Sequence, residues 1–319
     1  MKAIMTDNNG VGLHWTDVPD PVRKENEVLI EIHAAAVNHA DLLQRAGKYP
    51  PPPGWPEWMG LEVSGVVLEA SANSRRRVGD KVCALLGGGG YAEKVAVPEE
   101  LVMSIPDGVS MIEAATLPEV FGTAYLNLRF EADIQPGETF LMQAAASGLG
   151  TAAIQMAKLF GAKVIAAAGS QDKVDFIRKL GADIAVNRKT EDLGAVLDEN
   201  PPDVSLDCVA GPRLGEYLLK MARGGRWIVV STLAGEVAEI QLRTFFKKGL
   251  RLIGSTLRSR TDEMKSRVLR GLENDVWPAI TAGKIRPVIY KVLPVAEAER
   301  AHAILRAGEN TGKVVLVIR

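Results

Sequence analysis

The sequence predicts an α/β protein in two parts, a mainly β part and a doubly wound parallel sheet, and three observations carry that expectation. The chain has 319 residues, more than one ordinary core accommodates, so two domains are expected, one interrupting the other. Between Thr139 and Ser255 short apolar runs alternate with segments of helical spacing, as repeated strand–helix units require. Ahead of that region the alternation is missing, and strand-like runs are joined by loops rich in proline and glycine.

Each element follows from its residues. In the first part, EVLIEIHAAAVN alternates, KYPPPPGWPEW is a loop stiffened by Pro50 to Pro53, and VSGVVLEA and YAEKVAVP read as further strands. Then TFLMQA, KVIAAA, DIAVN, VSLDCV, RWIVVS and LRLIGS read as buried parallel strands. TAAIQMAKLF, KVDFIRKLGA, LGAVLDEN and RLGEYLLKMA supply the intervening helices; Val174, Ile177 and Leu180 form one apolar stripe. After Ser255 come a polar helix, RTDEMKSRVLRGLENDVWPAI, a helix AEAERAHAILRAG and a closing strand KVVLVIR that returns to the first domain. The expected domains are 1–119 with 257–319, and 120–256.

Hydrophobic residues make up 47% of the chain and charged residues 24%, the mix of a soluble globular protein. Lys plus Arg number 38 and Asp plus Glu 39, for a net charge of -1, which leaves no electrostatic footprint for nucleic acid or an anionic membrane. Any anionic ligand must be held by local charge. MKAIMTDNNG lacks the apolar run of a secretory signal and no stretch is long enough to span a bilayer, so a cytoplasmic protein without membrane insertion is expected. Cys83 and Cys208 lie in apolar strand-like runs, where buried free thiols are the rule. His14, His33, His39 and His302 are scattered, with no metal or Ser/His/Asp spacing; surface or packing histidines are expected. Gly87 to Gly90 read as a flexible β-turn, and Lys247 and Lys248 as a helix end facing water.

QAAASGLGT, Gln143 to Thr151, follows a strand and opens a helix where a dinucleotide-binding turn belongs. The G-x-G-x-x-G pattern laid over Ala145 to Gly150 finds glycine at its last position, with Ala145 and Ser147 at the others. Small residues at Ala146, Ser147 and Gly148, followed by Leu149, keep bulk away from a phosphate at a helix N-terminus. On the motif alone, a ligand-free turn chosen for close strand–helix packing is an equal reading. The end of the next strand separates them: an Asp or Glu is expected there for a ribose hydroxyl, and the chain has Gly169 and Ser170, with Lys173 on the following helix. A 2′-phosphate would meet a hydroxyl and a cation. Arg188, just after the third strand, is placed to stack on adenine or pair with the same phosphate. NADPH is the expected cofactor.

Together these residues resemble the zinc-independent quinone oxidoreductases, the zeta-crystallin-like group of the medium-chain dehydrogenase/reductase superfamily. The likeness rests on Asn38, Asp41, Leu42, Gln44, Arg45, Gly47 and Tyr49, on GLEVSG from Gly60, VGDKV from Val78, AAASGLG, STLRSR from Ser255 and GKVVL from Gly312. It implies a GroES-like catalytic domain interrupted by a Rossmann NADPH-binding domain. Asn38, Leu61 and Glu119 stand where the zinc-dependent branch has its metal ligands; leucine cannot ligate zinc. Without a Lewis acid the acceptor must already be electrophilic, as a quinone or an enone is.

The resemblance further implies site roles. Asn38 and Thr123 position the nicotinamide, with loop and cap bonding as the alternative for both. Tyr49 bonds the acceptor oxygen or packs against the proline loop. Ser231, Thr232, Leu233 and Ala234, with Thr256, Leu257 and Arg258, form the loops facing the nicotinamide. The implied activity is NADPH-dependent reduction of a quinone in the interdomain cleft, by a homodimer joined at its sheet edges. An NADPH-dependent enone or 2-alkenal reductase and a non-catalytic, crystallin-like NADPH-binding protein are the alternatives.

Overall fold

The computed structural model describes residues 1–7 and 12–319. They cluster into two compact units, Met1–Gly122 with Leu257–Arg319, and Thr123–Thr256.

The first unit is built on a seven-stranded sheet. Its main path runs Ile289–Pro294, Lys313–Val317, Glu27–Val37, Glu62–Glu69, Lys81–Leu85 and Val102–Ser104, and Lys94–Pro98 also pairs with Glu27–Val37. The chain end completes this sheet: Val314 to Val317 pair antiparallel with Val37 to Ala34. The alternation in EVLIEIHAAAVN suggests a half-buried strand, yet Glu27–Val37 is buried along nearly its whole length. Pairing with three other strands places it at the centre of the unit, so residues on both of its faces lose solvent.

Gly87 to Gly90 are buried rather than a flexible turn. A Cβ on Gly87 would lie 2.6 Å from the Trp55 ring, and one on Gly90 would lie 3.0 Å from the Gly60 backbone. The missing side chains let this segment pack against the proline loop. The polar helix expected after Ser255 is two helices, Asp262–Asp275 and Trp277–Thr281.

The second unit is a six-stranded parallel sheet in the spatial order Ile184–Asn187, Lys163–Ala168, Thr139–Met142, Val204–Asp207, Arg226–Val229, Arg251–Gly254. The expected strand segments contain these strands, and helices Gly148–Leu159, Gln171–Lys179, Leu193–Glu199 and Leu214–Leu219 lie in the intervening segments. Leu141, Ile165, Val186, Leu197, Leu218, Met221 and Trp227 form its packed core. In sequence terms the strands run 3-2-1-4-5-6, so the order in which strands are added reverses between Thr139–Met142 and Val204–Asp207. Ligands of doubly wound sheets bind outside the strand ends at such a switch point.

Two local features depart from the sequence pattern. After helix Pro118–Tyr125 the chain widens into a π-turn over Leu126–Glu131, closed by Ala132 N donating to Asn127 O at 2.9 Å. Lys248 does not face water: its Nζ donates to the carbonyls of Leu219 at 2.7 Å and Met221 at 3.0 Å, closing the end of helix Leu214–Leu219. Among the described residues no helix is long and apolar enough to cross a membrane.

Candidate functional site

In the second unit the turn at the switch point begins with Ala144 at φ 48°, a left-handed conformation that costs an alanine roughly 1–2 kcal/mol. Ser147 N donates back to Ala144 O at 2.9 Å. Ser147 is then the N-cap of helix Gly148–Leu159, its Oγ accepting from Gly150 N at 3.1 Å. Its oxygen thus serves the cap, while its hydroxyl hydrogen remains a donor. A Cβ on Gly150 would stand 2.4 Å from Ala145 O, so glycine here lets the helix approach the strand. Ala146 and Gly148 are buried and Leu149 half-buried. Small residues at the open end of a helix, where the first amides lack intrahelical partners, suit a diphosphate.

Beside this turn, at the end of Lys163–Ala168, Gly169 is half-buried and Ser170 exposed. Ser170 is the N-cap residue of helix Gln171–Lys179, with no side-chain capping bond. The structure brings Arg188 to the same place: its Nη2 lies 3.3 Å from where a Cβ on Gly169 would be, while Arg188 N donates to Ala168 O at 3.0 Å. Lys173 joins them. Its ammonium is pushed below the ordinary lysine range, first by burial and then by its like-charged neighbours Arg188 and Lys189. Three cations therefore gather over an uncharged strand end, an arrangement suited to an anion with more than one charge.

On the other side of the switch point the loops are held by Asp207, which the sequence reading passed over. Its Oδ1 accepts from Val209 N at 2.7 Å and Ala210 N at 3.0 Å, and its Oδ2 from Trp227 Nε1 at 3.0 Å. Leu233 N and Ala234 N donate to Cys208 O and Val209 O, which fixes the loop after Arg226–Val229. In that loop Ser231 is half-buried and Thr232, Leu233 and Ala234 are exposed; Thr256, at the end of the last strand, is exposed as well. Thr123 is half-buried, and its carbonyl accepts from Asn127 Nδ2 at 2.7 Å. Cys208 is buried, its thiol pushed up to about 12 by that burial.

In the first unit Asn38 precedes helix His39–Arg45 and belongs to a closed polar network. Its Nδ2 donates to Glu62 Oε1 at 3.0 Å and Ala36 O at 3.3 Å, and its Oδ1 accepts from Lys313 Nζ at 2.6 Å. Both amide hydrogens are engaged, and Oδ1 faces the Lys313 ammonium and the first turn of the helix. Lys313 Nζ also meets Glu62 Oε1 at 2.8 Å and donates to Val37 O at 2.9 Å, so each of its three hydrogens has an acceptor. Glu62 Oε2 accepts the backbone N–H of Glu119 at 2.9 Å. Sequence reading missed Glu62 and Lys313, although both lie in the quoted segments GLEVSG and GKVVL. The available signal was a charge inside an otherwise apolar strand run.

A second branch of this network runs through Asp41. Its Oδ2 accepts from Asn38 N at 2.7 Å and Tyr91 Oη at 2.9 Å, and its Oδ1 from Gly60 N at 3.1 Å. Burial raises the Asp41 carboxyl above its ordinary range despite these donors. Tyr91 Oη lies 3.4 Å from His302 Nε2. With the tyrosine hydrogen given to Asp41, the histidine must be the donor, which leaves Nδ1 bare; Nδ1 has no partner. Burial lowers the His302 pKa to about 3, so this histidine is neutral.

Tyr49 and Arg258 also come together in this unit. The guanidinium lies 4.8 Å from the Tyr49 ring centroid. It donates to Gly87 O at 2.9 Å, Tyr49 O at 3.1 Å and Gln44 Oε1 at 2.7 Å. The Arg258 side chain thus clamps the Tyr49 segment, and any contact with a cofactor falls to the surrounding backbone. Leu257 is buried, its side chain 3.1 Å from where a Cβ on Gly122 would be. Glu119 is half-buried, in the first turn of helix Pro118–Tyr125.

The donor set does not fit a zinc ion. Leu61 is buried hydrocarbon, the Asn38 carboxamide is engaged by an ammonium and a carboxylate, and among the described residues no three His, Cys, Asp or Glu side chains form a metal-binding group.

Comparison with known proteins agrees with both units. Residues 24–107 match the family model for the alcohol dehydrogenase GroES-like domain, and residues 148–274 the model for a zinc-binding dehydrogenase. The chain is 33% identical to quinone oxidoreductase-like protein 2 of Bos taurus over 310 residues, covering 94% of this chain and 87% of the relative. Among solved structures, the quinone oxidoreductase of Thermus thermophilus, described also in complex with NADPH, superposes with a TM-score of 0.85 at 34% identity over 100% of both chains. The CurK enoyl reductase superposes with a TM-score of 0.85 at 26% identity, covering 99% of this chain and 98% of that one.

Proposed function

Because the chain belongs to the zeta-crystallin-like group of the medium-chain dehydrogenase/reductase superfamily, we propose that it is an NADPH-dependent quinone reductase. Membership makes it an oxidoreductase of that superfamily; the preference for NADPH and for a quinone is our reading. The observation that carries the cofactor choice is the meeting of Lys173, Arg188 and Lys189 at the uncharged strand end Gly169–Ser170. A ribose-binding carboxylate there would favour NADH, and these cations favour a 2′-phosphate.

When bound, a reduced nicotinamide supplies hydride to the acceptor. Ala146, Ser147, Gly148 and Leu149 hold the diphosphate at the helix N-terminus. Gly169, Ser170, Lys173 and Arg188 hold the adenosine end. Thr123, Ser231, Leu233, Ala234, Thr256, Leu257 and the Arg258 backbone border the nicotinamide, and Asn38 helps to position it. Tyr49, its segment fixed by Arg258, presents a phenol to the acceptor oxygen. Catalysis then rests on positioning an already electrophilic acceptor. The protein acts in the cytoplasm as a homodimer.

Binding tests the cofactor choice. NADPH is expected to bind more tightly than NADH, and Lys173→Ala or Arg188→Ala to weaken NADPH alone by about 10-fold or more, the worth of a charge-assisted hydrogen bond. Equal affinities in the native chain would remove the phosphate reading. The acceptor is tested by following NADPH oxidation with a series of quinones and of 2-alkenals. The likeness to CurK enoyl reductase favours a second reading, reduction of an activated carbon–carbon double bond, and turnover with alkenals alone would select it. Tight NADPH binding with no turnover on either series would indicate a non-catalytic, crystallin-like role.

A further inference from the structure

Glu119 is the member of the first unit's polar network whose side chain is given nothing to do. Its backbone N–H is tied to Glu62 at 2.9 Å, which seats it beside the carboxylate that holds Asn38. Its Oε2, by contrast, is buried without a hydrogen-bond partner. A buried carboxylate oxygen left unpaired carries a heavy desolvation penalty, which a carboxylic acid avoids.

We propose that Glu119 is the catalytic acid of the reduction, delivering the proton that must follow hydride to the acceptor. This rests on the reductase reading above. Hydride from a reduced nicotinamide brings an electron pair and one hydrogen to a quinone and leaves an oxyanion. The O–H bond of Glu119 breaks, its electron pair stays on the carboxylate, and a new O–H bond forms on the acceptor. The carboxylate then recovers a proton from water. The sum is reduced nicotinamide plus quinone plus one proton giving oxidised nicotinamide plus hydroquinone. On an enone the same proton would go to the enolate carbon.

The surroundings keep Glu119 in the acid form at neutral pH. Burial is the largest influence and raises its pKa to about 8; Glu62 and Asp41 push the same way, while Lys313 and Arg258 oppose them. A helix N-terminus would ordinarily favour the anion, and here it does not prevail. Lys313 cannot restore the balance because its ammonium is already engaged by Glu62, Asn38 and Val37.

The test pairs a measurement on the protein without nicotinamide with one on turnover. Infrared difference spectra of the free protein should show a neutral carboxyl band that titrates near pH 8 and is absent in Glu119→Gln. Acceptor reduction should fall at least about 100-fold in that variant, the low end for loss of a positioned general acid. The native rate should decline above pH 8, and this limb should disappear in Glu119→Gln and return at a shifted pH in Glu119→Asp. Urea midpoints check folding; Gln matches the shape and neutrality of the acid and is expected to fold. A native protein that turns over, with Glu119→Gln keeping both its rate and its pH limb, would overturn the proposal. A carboxyl band already lost at neutral pH would do the same. If the native protein oxidises NADPH with neither acceptor series, it is the reductase reading that fails, and the catalytic role falls with it.

Discussion

Lys313 and Glu62 meet at 2.8 Å with 5% and 0% of their side chains exposed, so neither tolerates loss of the other. Lys313→Met is expected to destabilise the protein by about 3–5 kcal/mol, because it leaves an uncompensated buried carboxylate. Glu62→Gln combined with Lys313→Met should recover part of that loss, and urea unfolding of both variants checks it. His302 gives a pH dependence of definite sign. Its pKa is lowered to about 3 in the fold against about 6.5 unfolded, so the unfolded chain binds the extra proton between those values. The stability it contributes is complete above about pH 6.5 and is lost as pH falls toward 3. His302→Gln should flatten that part of the urea-midpoint profile between pH 6.5 and 4; an unchanged slope would remove His302 as the cause. At this scale the sequence was legible where residues lie close together along the chain, as Gly169, Ser170 and Lys173 do at one strand end. It was silent on Lys313 and Glu62, whose partnership comes from strands far apart in the chain.

The turn Ala144–Gly150 shows how an element limits its residues. The three-glycine pattern fails in the sequence, yet the turn keeps a left-handed residue, Ala144, and a glycine whose Cβ would strike Ala145 O at 2.4 Å. Gly150→Ala must push the helix off the strand. An overpacking cost of about 1–3 kcal/mol is expected, together with weakened NADPH binding because the helix N-terminus moves; thermal melts and cofactor titration measure the two effects. Parallel strands and their helices were readable because each apolar run is continuous and each helix carries its own stripe. Loops were read less well for a shared reason. The buried glycines Gly87 to Gly90, the π-turn at Leu126–Glu131 and the inward-turned Lys248 all depend on what packs against them, which local composition does not encode.

At the scale of the whole molecule, the last strand of the parallel sheet raises the question of assembly. Arg251–Gly254 pairs with Arg226–Val229 along one side, and it lies at the end of the strand order. Arg251, Leu252 and Gly254 are exposed. Leu252 is 41% exposed, and in the same unit Leu242 and Phe246 stand at 69% and 67%. An open edge with apolar side chains is a template for another strand, and soluble proteins guard such edges with charge, proline or a partner. A second copy meeting this edge about a twofold axis would extend the sheet and cover Leu252, in an isologous contact that closes without propagating. The native chain is therefore expected to sediment as a dimer. Leu252→Lys places a charge at the contact and should shift the species toward monomer. Light scattering coupled to gel filtration reads the mass directly. A monomeric native protein at tens of micromolar would leave the exposed edge without this explanation, and a Leu252→Lys protein that remains dimeric would move the interface elsewhere.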